Sequence, residues 1–568
     1  NAFTEDLINR VQQEFREDYW GFLMLGGMSG GGMAFIINPD IRENFKSRVY
    51  EIMHELKEVY QFSLPFIVNP VVYDFDFNHN GIVSRLLKGD DVSLPQTRLD
   101  HMNKESPEQE HQNENDVSSI KTRYGFDADS HENMKAMLKN GEIGLTKNHL
   151  PQDTLIQDVS HNEILHVKDV QQNHTLSRLG LESLKKKEIS VVTFSGGLGS
   201  RWSNGAAVVK PVNPFIKMAG KYRTFIEVHL AKSRKTSTLS GGEIPHVFTT
   251  SYLTHNAIES YLRRFNYFNY GNDIFLSPAK SIGHRVYPME RDLRFYWDEQ
   301  LQQKEEENVQ KMQDNIHHAL IEWVKMRGQG EDYSENTPIL RFNPPGHWYE
   351  IPNLIKNGVL ARLLRTYPNL KYLFCHNIDT MGAHIDPSLL ELHIVNRSCI
   401  TFEVTPRRID DRGGGLAKVN GHMQIIEGLA LPRKEDEYKF SYYNSLTNWI
   451  TIDSLLDFFG LARDVILDSD RKDSSRDRVV EAIRKIEQRI PTYVTIKNVK
   501  HLWGRGQEDV YPVAQFEKLW GDMSGLRDLA VQYVAVSRYR GQQLKEPAQL
   551  YTWVQDGSFE YLKSKAAF

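Results

Sequence analysis

The residues best placed to do chemistry form a glycine-rich loop that ends on a lysine. The loop follows an apolar, β-branched run at 189–193 and contains Gly196, Gly197 and Gly199. It ends at Lys210, in a Lys-Pro pair. Glycines let backbone N–H groups approach an anion without a Cβ in the way, and a lysine adds a mobile positive charge. The stretch has neither the ending of a P-loop nor the GxGxxG dinucleotide pattern. It favours a phosphate-binding loop of a different kind, and a simple glycine turn stays open as the alternative.

Polar side chains also follow two later stretches of apolar sequence. Pro344-Pro-Gly-His347 predicts a rigid turn that presents an imidazole and open backbone groups. Asn377 and Asp379 come just after an apolar run at 372–375. A carboxylate in that position suits a divalent cation, because hard cations prefer oxygen ligands. Plainer roles stay open for both stretches, since Asp is a common helix N-cap and a histidine can simply hydrogen-bond its own turn.

Two further polar stretches complete the candidate set. One runs from Glu403 to Gly415, and the other, at 443–449, is interpreted as a polar loop before an apolar segment. Glu403 can bind a ligand or serve as a strand-end salt-bridge partner. The arginines of the first stretch are expected to be solvated, with pyrophosphate binding as the alternative; they are Arg407, Arg408 and Arg412.

The elements that must position these residues alternate between strands and helices from residue 189 to about 449. The candidate strands are 189–194, 246–250, 372–375, 400–404 and 424–426. Strands separated by helices predict an α/β domain with a mainly parallel sheet and helices on both faces. In such sheets ligands bind at the carboxyl ends of the strands, and the glycine loop leaves the first strand at that edge.

The N-terminal part of the chain predicts a separate α+β unit at 1–90. A glycine-rich turn at 26–33 lies there between two apolar strands, which favours a tight hairpin, with a second anion loop as the functional alternative. The stretch GGMSGGGMAFII resembles the third motif of the GHMP family of small-molecule kinases, in the C-terminal half of those proteins. The main phosphate loop of that family is not in this sequence, so we expect a structural unit. A longer parent chain could carry the kinase half upstream.

Composition and sequence patterns also indicate how the rest of the chain is organised and which classes of protein are excluded. We predict a polar linker at 91–130, a helical and looped connecting region at 131–188 and a C-terminal tail at 541–568. The net charge is −5, which gives no overall reason to expect nucleic acid as a partner. The two cysteines exclude a disulfide framework and a Cys-rich zinc site. The low cysteine count suits a reducing compartment, so we expect the cytoplasm or another such compartment, for example a plastid. No apolar run is long enough to span a membrane.

In their order along the chain, these motifs resemble the UTP–glucose-1-phosphate uridylyltransferases and, more broadly, the UDP-sugar pyrophosphorylases. Gly196-Gly-Leu-Gly-Ser200 with Lys210 is similar to the signature loop of that family. Pro344-Pro-Gly-His347 matches its Pro-Pro-Gly-His turn, and Asn377-Ile-Asp379 matches its Asn-x-Asp. The resemblance covers about 189–540 and implies a Rossmann-like nucleotidyltransferase domain.

The sequence departs from the family at five positions. Trp348-Tyr349 replaces the Gly-Asp that follows the histidine, and Thr380 replaces an asparagine. Two family lysines fall at Ser441 and near Ser537, where Lys439 and Arg538 are candidate substitutes. These departures leave open which basic residues bind the phosphates and which sugar 1-phosphate is the substrate.

The resemblance implies that a sugar 1-phosphate attacks the α-phosphate of UTP with the help of Mg²⁺. Lys210, His347 and Arg538 are implied to act on the phosphates, and Asp379 to hold Mg²⁺. Nucleotide contacts are implied for Gly196, Gly197, Leu198, Gly199 and Gly346, and substrate contacts for Thr250, Asn377, Glu403 and Asn444. Two alternatives stay open: a pyrophosphorylase for a different sugar 1-phosphate, and a catalytically weak module that binds nucleotide sugars.

Overall fold

A computed structural model of the chain describes residues 2–25, 32–60, 72, 116–166, 177–197, 199, 202, 209–301, 307–408, 411–504 and 507–568. The chain divides into two compact units, Asn1–Leu87 and Lys88–Phe568. Residues 131–188 and 541–568, predicted as a connecting region and a tail, lie within the second unit.

The first unit is an antiparallel hairpin with two helices. Strands β1 (Tyr19–Leu25) and β2 (Gly32–Ile37) pair with each other, and helices α1 (Ala2–Phe15) and α2 (Arg42–Tyr60) flank them. Apolar residues at helical spacing bury one face of each helix, which closes a small core. The glycines at 26–31 and the strand predicted near residue 70 lie outside the described residues, apart from Val72.

The polar linker predicted at 91–130 ends earlier in the structure. Helix α3 (Val117–Tyr124) begins where Asp116 accepts hydrogen bonds from two backbone N–H groups. Ile120 and Tyr124, four residues apart, are both buried. A helix of only eight residues between polar neighbours leaves too short an apolar period to be recognised from sequence.

The second unit contains the other helices and strands that the structure describes. The helices are α4 (Ala128–Asn140), α5 (Arg178–Lys185), α6 (Phe225–Ser240), α7 (His255–Arg264), α8 (Glu290–Leu301), α9 (Glu307–Arg327), α10 (Glu350–Lys356), α11 (Val359–Thr366), α12 (Pro387–Asn396), α13 (Ile452–Phe458), α14 (Arg463–Asp468), α15 (Asp473–Glu487), α16 (Arg538–Gly541), α17 (Gln549–Gln555) and α18 (Ser558–Lys565). The strands are β3 (Ile156–Asp158), β4 (Leu165–His166), β5 (Ile189–Phe194), β6 (Pro214–Met218), β7 (Lys221–Thr224), β8 (His246–Thr250), β9 (Ile274–Pro278), β10 (Gly283–His284), β11 (Phe342–Asn343), β12 (Tyr372–Asn377), β13 (Ile400–Pro406), β14 (Gly415–Val419), β15 (His422–Ile426), β16 (Tyr442–Thr451), β17 (Tyr493–Gly504), β18 (Gln507–Glu517) and β19 (Val531–Ala535).

A large mixed sheet forms the centre of this unit, as the sequence predicts. Within the described residues it has eleven strands, with the main order β4-β19-β13-β16-β12-β5-β8-β9. The pairs β12–β5, β5–β8, β8–β9, β13–β19 and β19–β4 are parallel, whereas β16 runs antiparallel to both of its neighbours. All six residues of β5 are buried, which is typical of a strand covered by helices on both faces.

Strand β16 overturns the prediction of a polar loop at 443–449. It crosses the middle of the sheet between β12 and β13. Ser445, Thr447 and Asn448 are fully buried in it. These polar residues looked like a loop in the sequence. They are buried in a central strand because β16 pairs with two strands that are distant in the sequence.

The carboxyl ends of β5, β8 and β12 meet at one edge of the sheet. Phe194, at the end of β5, pairs with Thr249 on one side and with Asn377 on the other. The loops that follow these strands therefore lie next to one another, and they carry the glycine loop, Lys210 and Asp379. Throughout the described part of the chain, every helix is too short or too polar to cross a lipid bilayer.

Candidate active site

The glycine loop after β5 is shaped around Lys210. Gly199 has a φ of +69°, and a Cβ added there would lie 2.5 Å from the Lys210 Cβ. Both the backbone conformation and the close approach of the lysine therefore require glycine. The Ser251 hydroxyl donates to the Gly196 carbonyl at 2.6 Å, which ties the loop to the end of β8. Gly197 has open space around its Cα, and Leu198 lies outside the described residues.

Lys210 and Asp379 form the charged centre of this edge. The Lys210 ammonium donates to the Leu544 carbonyl at 2.6 Å and to Asp379 Oδ2 at 3.3 Å. Lys210 is only 5% exposed, so its charge is held in place. Asp379 Oδ1 is buried and has no hydrogen-bond partner among the described residues. An unpaired carboxylate oxygen of this kind has unused capacity for a cation, and Asp379 is thus the residue at this edge best able to hold a metal ion.

His347 is fixed as a neutral imidazole. The backbone N–H of Trp520 donates to His347 Nδ1 at 3.0 Å, so the ring proton sits on Nε2. Burial lowers the pKa of His347 to about 4. Gly346, just before it, has a φ of +103°, and a Cβ there would lie 2.2 Å from the Lys518 carbonyl oxygen. This turn is therefore held against the Lys518 backbone in a way that only glycine permits.

Arg538 is already paired in the structure. Its guanidinium donates two hydrogen bonds of 2.5 Å to the buried carboxylate of Asp411. Bidentate pairs of this geometry are strong, so Arg538 cannot turn to a phosphate without leaving Asp411 buried and unpaired. The same side chain stacks over the ring of Tyr443. The structure therefore gives Arg538 a structural partner in the position where sequence suggested a phosphate ligand.

Lys545 is a cation close to the charged centre that the sequence did not indicate. It follows Leu544, whose backbone N–H donates to the Asp379 carbonyl at 2.8 Å and whose carbonyl accepts from Lys210. The Lys545 ammonium donates to the Tyr443 hydroxyl at 2.8 Å. A lysine in an irregular segment after the last strand carries no local signal, and only the folded chain brings its neighbour Leu544 into contact with Asp379.

Glu403 does not belong to the accessible site. Its side chain is fully buried, and Arg540 donates to both of its carboxylate oxygens, at 2.6 and 2.8 Å. The Trp449 indole donates a third hydrogen bond to it at 2.8 Å. With both oxygens occupied, Glu403 is a buried salt-bridge partner, which is the plainer of its two predicted roles.

The other three residues predicted to contact substrate differ in whether their side chains are already hydrogen-bonded within the protein. The Thr250 hydroxyl is buried and bonded to His255, and Asn444 Oδ1 accepts from the Leu446 backbone. Asn377 ends β12 and makes no side-chain hydrogen bond to the described residues. Of the three, Asn377 is the one whose amide remains available to a ligand.

The expectation of a solvated Arg407 is wrong. Its guanidinium donates to the carbonyls of Gly413 and Gly414 at 3.1 and 2.9 Å. Burial lowers its pKa, although an arginine stays charged. Arg412, by contrast, is largely exposed and pairs with Glu437. Arg407 therefore shapes the loop after β13 rather than standing in solvent.

A second group of metal-ligand side chains lies elsewhere in the described part of this unit, at His131, His284 and Asp332. Lys135 Nζ lies 3.0 Å from Asp332 Oδ1, and His131 Nε2 lies 2.8 Å from the same atom. These contacts hold the pKa of Asp332 far below its usual range. We therefore interpret these side chains as a network of ion pairs that joins α4 to β10.

Known proteins similar to this chain point to one family. Residues 327–502 match the family described as UTP–glucose-1-phosphate uridylyltransferase. The protein of that name from Solanum tuberosum is 31% identical over 118 residues, which are 20% of this chain and 24% of that protein. UTP–glucose-1-phosphate uridylyltransferase 2 from Dictyostelium discoideum is 23% identical over 274 residues, 47% of this chain and 45% of that protein. The matches thus cover less than half of the length of either relative.

A solved structure extends the likeness beyond the matched sequence. UDP-glucose pyrophosphorylase from Leishmania major superposes with a TM-score of 0.50 at 16% identity, over 76% of this chain and 76% of that chain. At that identity the likeness shows a shared fold. Residues 327–502 are thus similar to the UTP–glucose-1-phosphate uridylyltransferase family, and the fold is shared with a UDP-glucose pyrophosphorylase.

Proposed function

We propose that the second unit transfers a uridylyl group from UTP to glucose 1-phosphate, which yields UDP-glucose and pyrophosphate. The observation that carries the proposal is the Lys210–Asp379 pair at the carboxyl edge of the sheet, beside the glycine loop. The names of the matching family and of the relatives that resemble part of this chain support this choice of substrates. A cation, a carboxylate with an unpaired oxygen and open backbone at one edge suit two phosphorylated substrates.

The chemistry needs positioning and charge more than a nucleophilic side chain. A phosphate oxygen of the sugar 1-phosphate attacks the α-phosphorus of UTP, the new P–O bond forms, and the bond to the pyrophosphate oxygen breaks. Both reactants are anions, so the protein must hold them in line and screen their repulsion. Lys210 is suited to that task because Leu544 fixes its ammonium group in a buried position.

Asp379 is the residue that would hold Mg²⁺. Its Oδ1 is buried without a partner among the described residues, and the substrate phosphates would supply further oxygen ligands. Bound there, the ion would neutralise charge on the transferring phosphate. Lys210 donates to the other oxygen of the same carboxylate, which orients it for that role.

The other candidate residues are given roles that suit their positions at the carboxyl edge of the sheet. His347 stays neutral at pH 7 and would donate its Nε2–H to a substrate oxygen rather than supply charge. Asn377 would bind a sugar hydroxyl. Lys545 takes the place of the missing family lysine, in preference to Arg538, because it lies next to the segment that contacts Lys210 and Asp379. The nucleotide-binding role falls to Gly196, Gly197, Leu198, Gly199 and Gly346.

A different sugar 1-phosphate is the second candidate substrate. Ser441 donates to Asp158 at 2.5 Å, in the position of a family lysine, and Lys439 is exposed and paired with Asp436. Trp348 and Tyr349 are buried where the family has Gly-Asp. These changes alter the sugar side of the site without touching Lys210 or Asp379.

The test is pyrophosphate release from UTP across a panel of sugar 1-phosphates with Mg²⁺ present. We expect glucose 1-phosphate to give the highest rate. A higher rate with another sugar would identify the second candidate. Tight binding of UDP-glucose without any turnover would instead identify a binding module.

A further inference from the structure

Helix α6 holds the turn that carries Asp379. His229 and Lys232 are three positions apart on this helix, so their side chains leave the same face of it. Both residues are almost fully buried, at 1% and 2% exposure. Their side chains make hydrogen bonds to the backbone of the turn after β12. This face of α6 therefore lies against the segment that positions the candidate metal ligand.

Lys232 is bound to backbone carbonyls and not to a carboxylate. Its Nζ donates to the carbonyls of Met381 and Ala383, at 2.6 and 2.5 Å. Burial, and after it the charge of Arg540, lower the pKa of Lys232 well below its usual range, and no acidic side chain of the described residues acts on it. A lysine without a carboxylate partner is costly to bury, and an apolar side chain of similar volume would avoid that cost. The two carbonyls are thus the groups that this lysine is suited to hold.

His229 holds the other side of the same turn. Its Nε2–H donates to the Ile378 carbonyl at 2.8 Å, and its Nδ1 is buried without a partner among the described residues. Burial lowers the pKa of His229 well below its usual value, so the ring is neutral at pH 7. The Ile378 N–H donates to the Phe194 carbonyl at 3.0 Å. Both backbone polar groups of Ile378 are therefore occupied, one by α6 and the other by the end of β5.

Asp379 lies between these two fixed points. The chain before it is held at Ile378, and the chain after it is held at Met381. With both sides fixed, the backbone at Asp379 has little freedom, and the direction of its side chain is set. The carboxylate must point Oδ2 at Lys210 and leave Oδ1 unpaired. Placement of this kind matters at a reacting centre, where an error of about 1 Å can lower a rate about 100-fold.

We propose that His229 and Lys232 are positioning residues, which hold Asp379 so that its carboxylate can bind the metal ion. The inference rests on the proposed function for the metal, and it adds the residues that set the geometry of its ligand. Each side chain acts through the backbone of the turn. The proposal also accounts for a buried lysine that has no carboxylate partner among the described residues.

The probe is UTP without a sugar 1-phosphate, so that no transfer reaction occurs. Isothermal calorimetry measures the Kd of UTP in EDTA and in Mg²⁺, and the first value divided by the second gives the contribution of the metal to binding. We expect Lys232→Met and His229→Leu to lower this ratio about tenfold, as Asp379→Asn does, because a displaced carboxylate is a poorer ligand. His229→Gln should restore most of the ratio, since its amide offers an N–H donor near the position of Nε2.

A double substitution separates positioning from folding. If Lys232 acts through Asp379, adding Lys232→Met to Asp379→Asn should lower the ratio no further. Lys135→Met is the matched control, because Lys135 is a buried lysine of α4 that pairs with Asp332. It should lower the Tm and leave the ratio unchanged.

A wild-type ratio in folded Lys232→Met or folded His229→Leu overturns the proposal, and so does a further loss in the double variant. If Lys232→Met does not fold, His229→Leu and His229→Gln decide, and equal ratios in these two overturn it. A ratio of one in the wild-type protein also overturns it, since no metal then depends on Asp379. Pyrophosphate release is measured separately. The expected ratios without turnover would overturn the proposed function alone, whereas turnover with unchanged ratios in the variants would overturn this inference alone.

Discussion

Lys210 Nζ lies 3.3 Å from Asp379 Oδ2, although the two residues are 169 positions apart in the sequence. The parallel pairing of β5 with β12 brings them together, because it aligns the ends of both strands at one edge. Leu544 then holds both residues, accepting from the lysine side chain and donating to the aspartate backbone. Charge, metal-ligand capacity and open backbone thus meet at one place.

Replacing Lys210 should abolish most of the activity. We expect Lys210→Met to lower kcat/KM for UTP by at least about 100-fold, because the buried charge that screens the phosphates is lost while the apolar stem is kept. The measurement is pyrophosphate release, with thermal unfolding to confirm a folded protein. Lys217→Met, on an exposed position of β6, is the control and should retain full activity. A retained rate in Lys210→Met would remove Lys210 from the site.

Replacing Asp379 should change the dependence on Mg²⁺. We expect Asp379→Asn to raise the Mg²⁺ concentration for half-maximal rate by about tenfold or more, because an amide oxygen is a weaker ligand for a hard cation. Rates measured over a Mg²⁺ titration test this. Asp386→Asn is the matched control, since Asp386 caps α12 and asparagine caps equally well. An unaltered titration in Asp379→Asn would show that another group holds the metal.

Lys545 and Arg538 should behave in opposite ways. We expect Lys545→Ala to lower kcat/KM by about 10–100-fold with little change in Tm. Arg538→Ala should instead lower the unfolding free energy by about 3 kcal/mol, because it leaves Asp411 buried and unpaired. Activity assays and urea unfolding on both variants separate the two. If Arg538→Ala remains stable and loses the larger share of activity, Arg538 is the phosphate ligand.

Loss of the buried pair of Glu403 and Arg540 should mainly lower the unfolding free energy. We expect Glu403→Ala to cost about 3–5 kcal/mol of unfolding free energy, because the Arg540 charge is left buried. Lys485→Ala removes an exposed pair with Glu481 and should cost less than about 0.5 kcal/mol. Urea unfolding monitored by tryptophan fluorescence compares the two. Equal, small losses would contradict the role given to Glu403.

The contribution of Glu427 and Asp522 to stability should fall as the pH rises through neutrality. Burial raises the pKa of Glu427 to about 7, and burial with the nearby Glu427 raises that of Asp522. Because these pKa values lie above their unfolded values, this pair holds more protons in the folded state, and its contribution to the unfolding free energy decreases with rising pH. We expect the unfolding free energy of Glu427→Gln, measured relative to wild type, to be higher at pH 8 than at pH 6 by roughly 1–3 kcal/mol. A relative value that is lower at pH 8 than at pH 6 would contradict this sign.

Local patterns were enough to predict the frame of the sheet and the glycine loop. Strand β5 begins with the β-branched run at 189–193 and ends one residue after it, and Gly199 lies in the glycine loop that the sequence indicated. The turn at Gly346 was predicted on the same kind of signal, whereas the strand predicted at 372–375 extends to Asn377 in the structure. When glycine or proline follows a short apolar run, the sequence itself indicates where the strand ends.

Long-range pairing accounts for what the sequence did not reveal. Asn448 looks like a loop residue until β12 and β13 enclose it. Glu403 looked like a ligand because its partner Arg540 is 137 residues away. Lys545 has no motif around it and reaches the site through Leu544. In each case the decisive contact joins segments that are far apart in the chain.

Pyrophosphate release from UTP and glucose 1-phosphate in the presence of Mg²⁺ tests the central claim most directly. The account predicts release by the wild-type protein, no release without Mg²⁺, and a loss of at least about 100-fold in Lys210→Met. No release from UTP with any sugar 1-phosphate, or a rate unaffected by both Lys210→Met and Asp379→Asn, would contradict it.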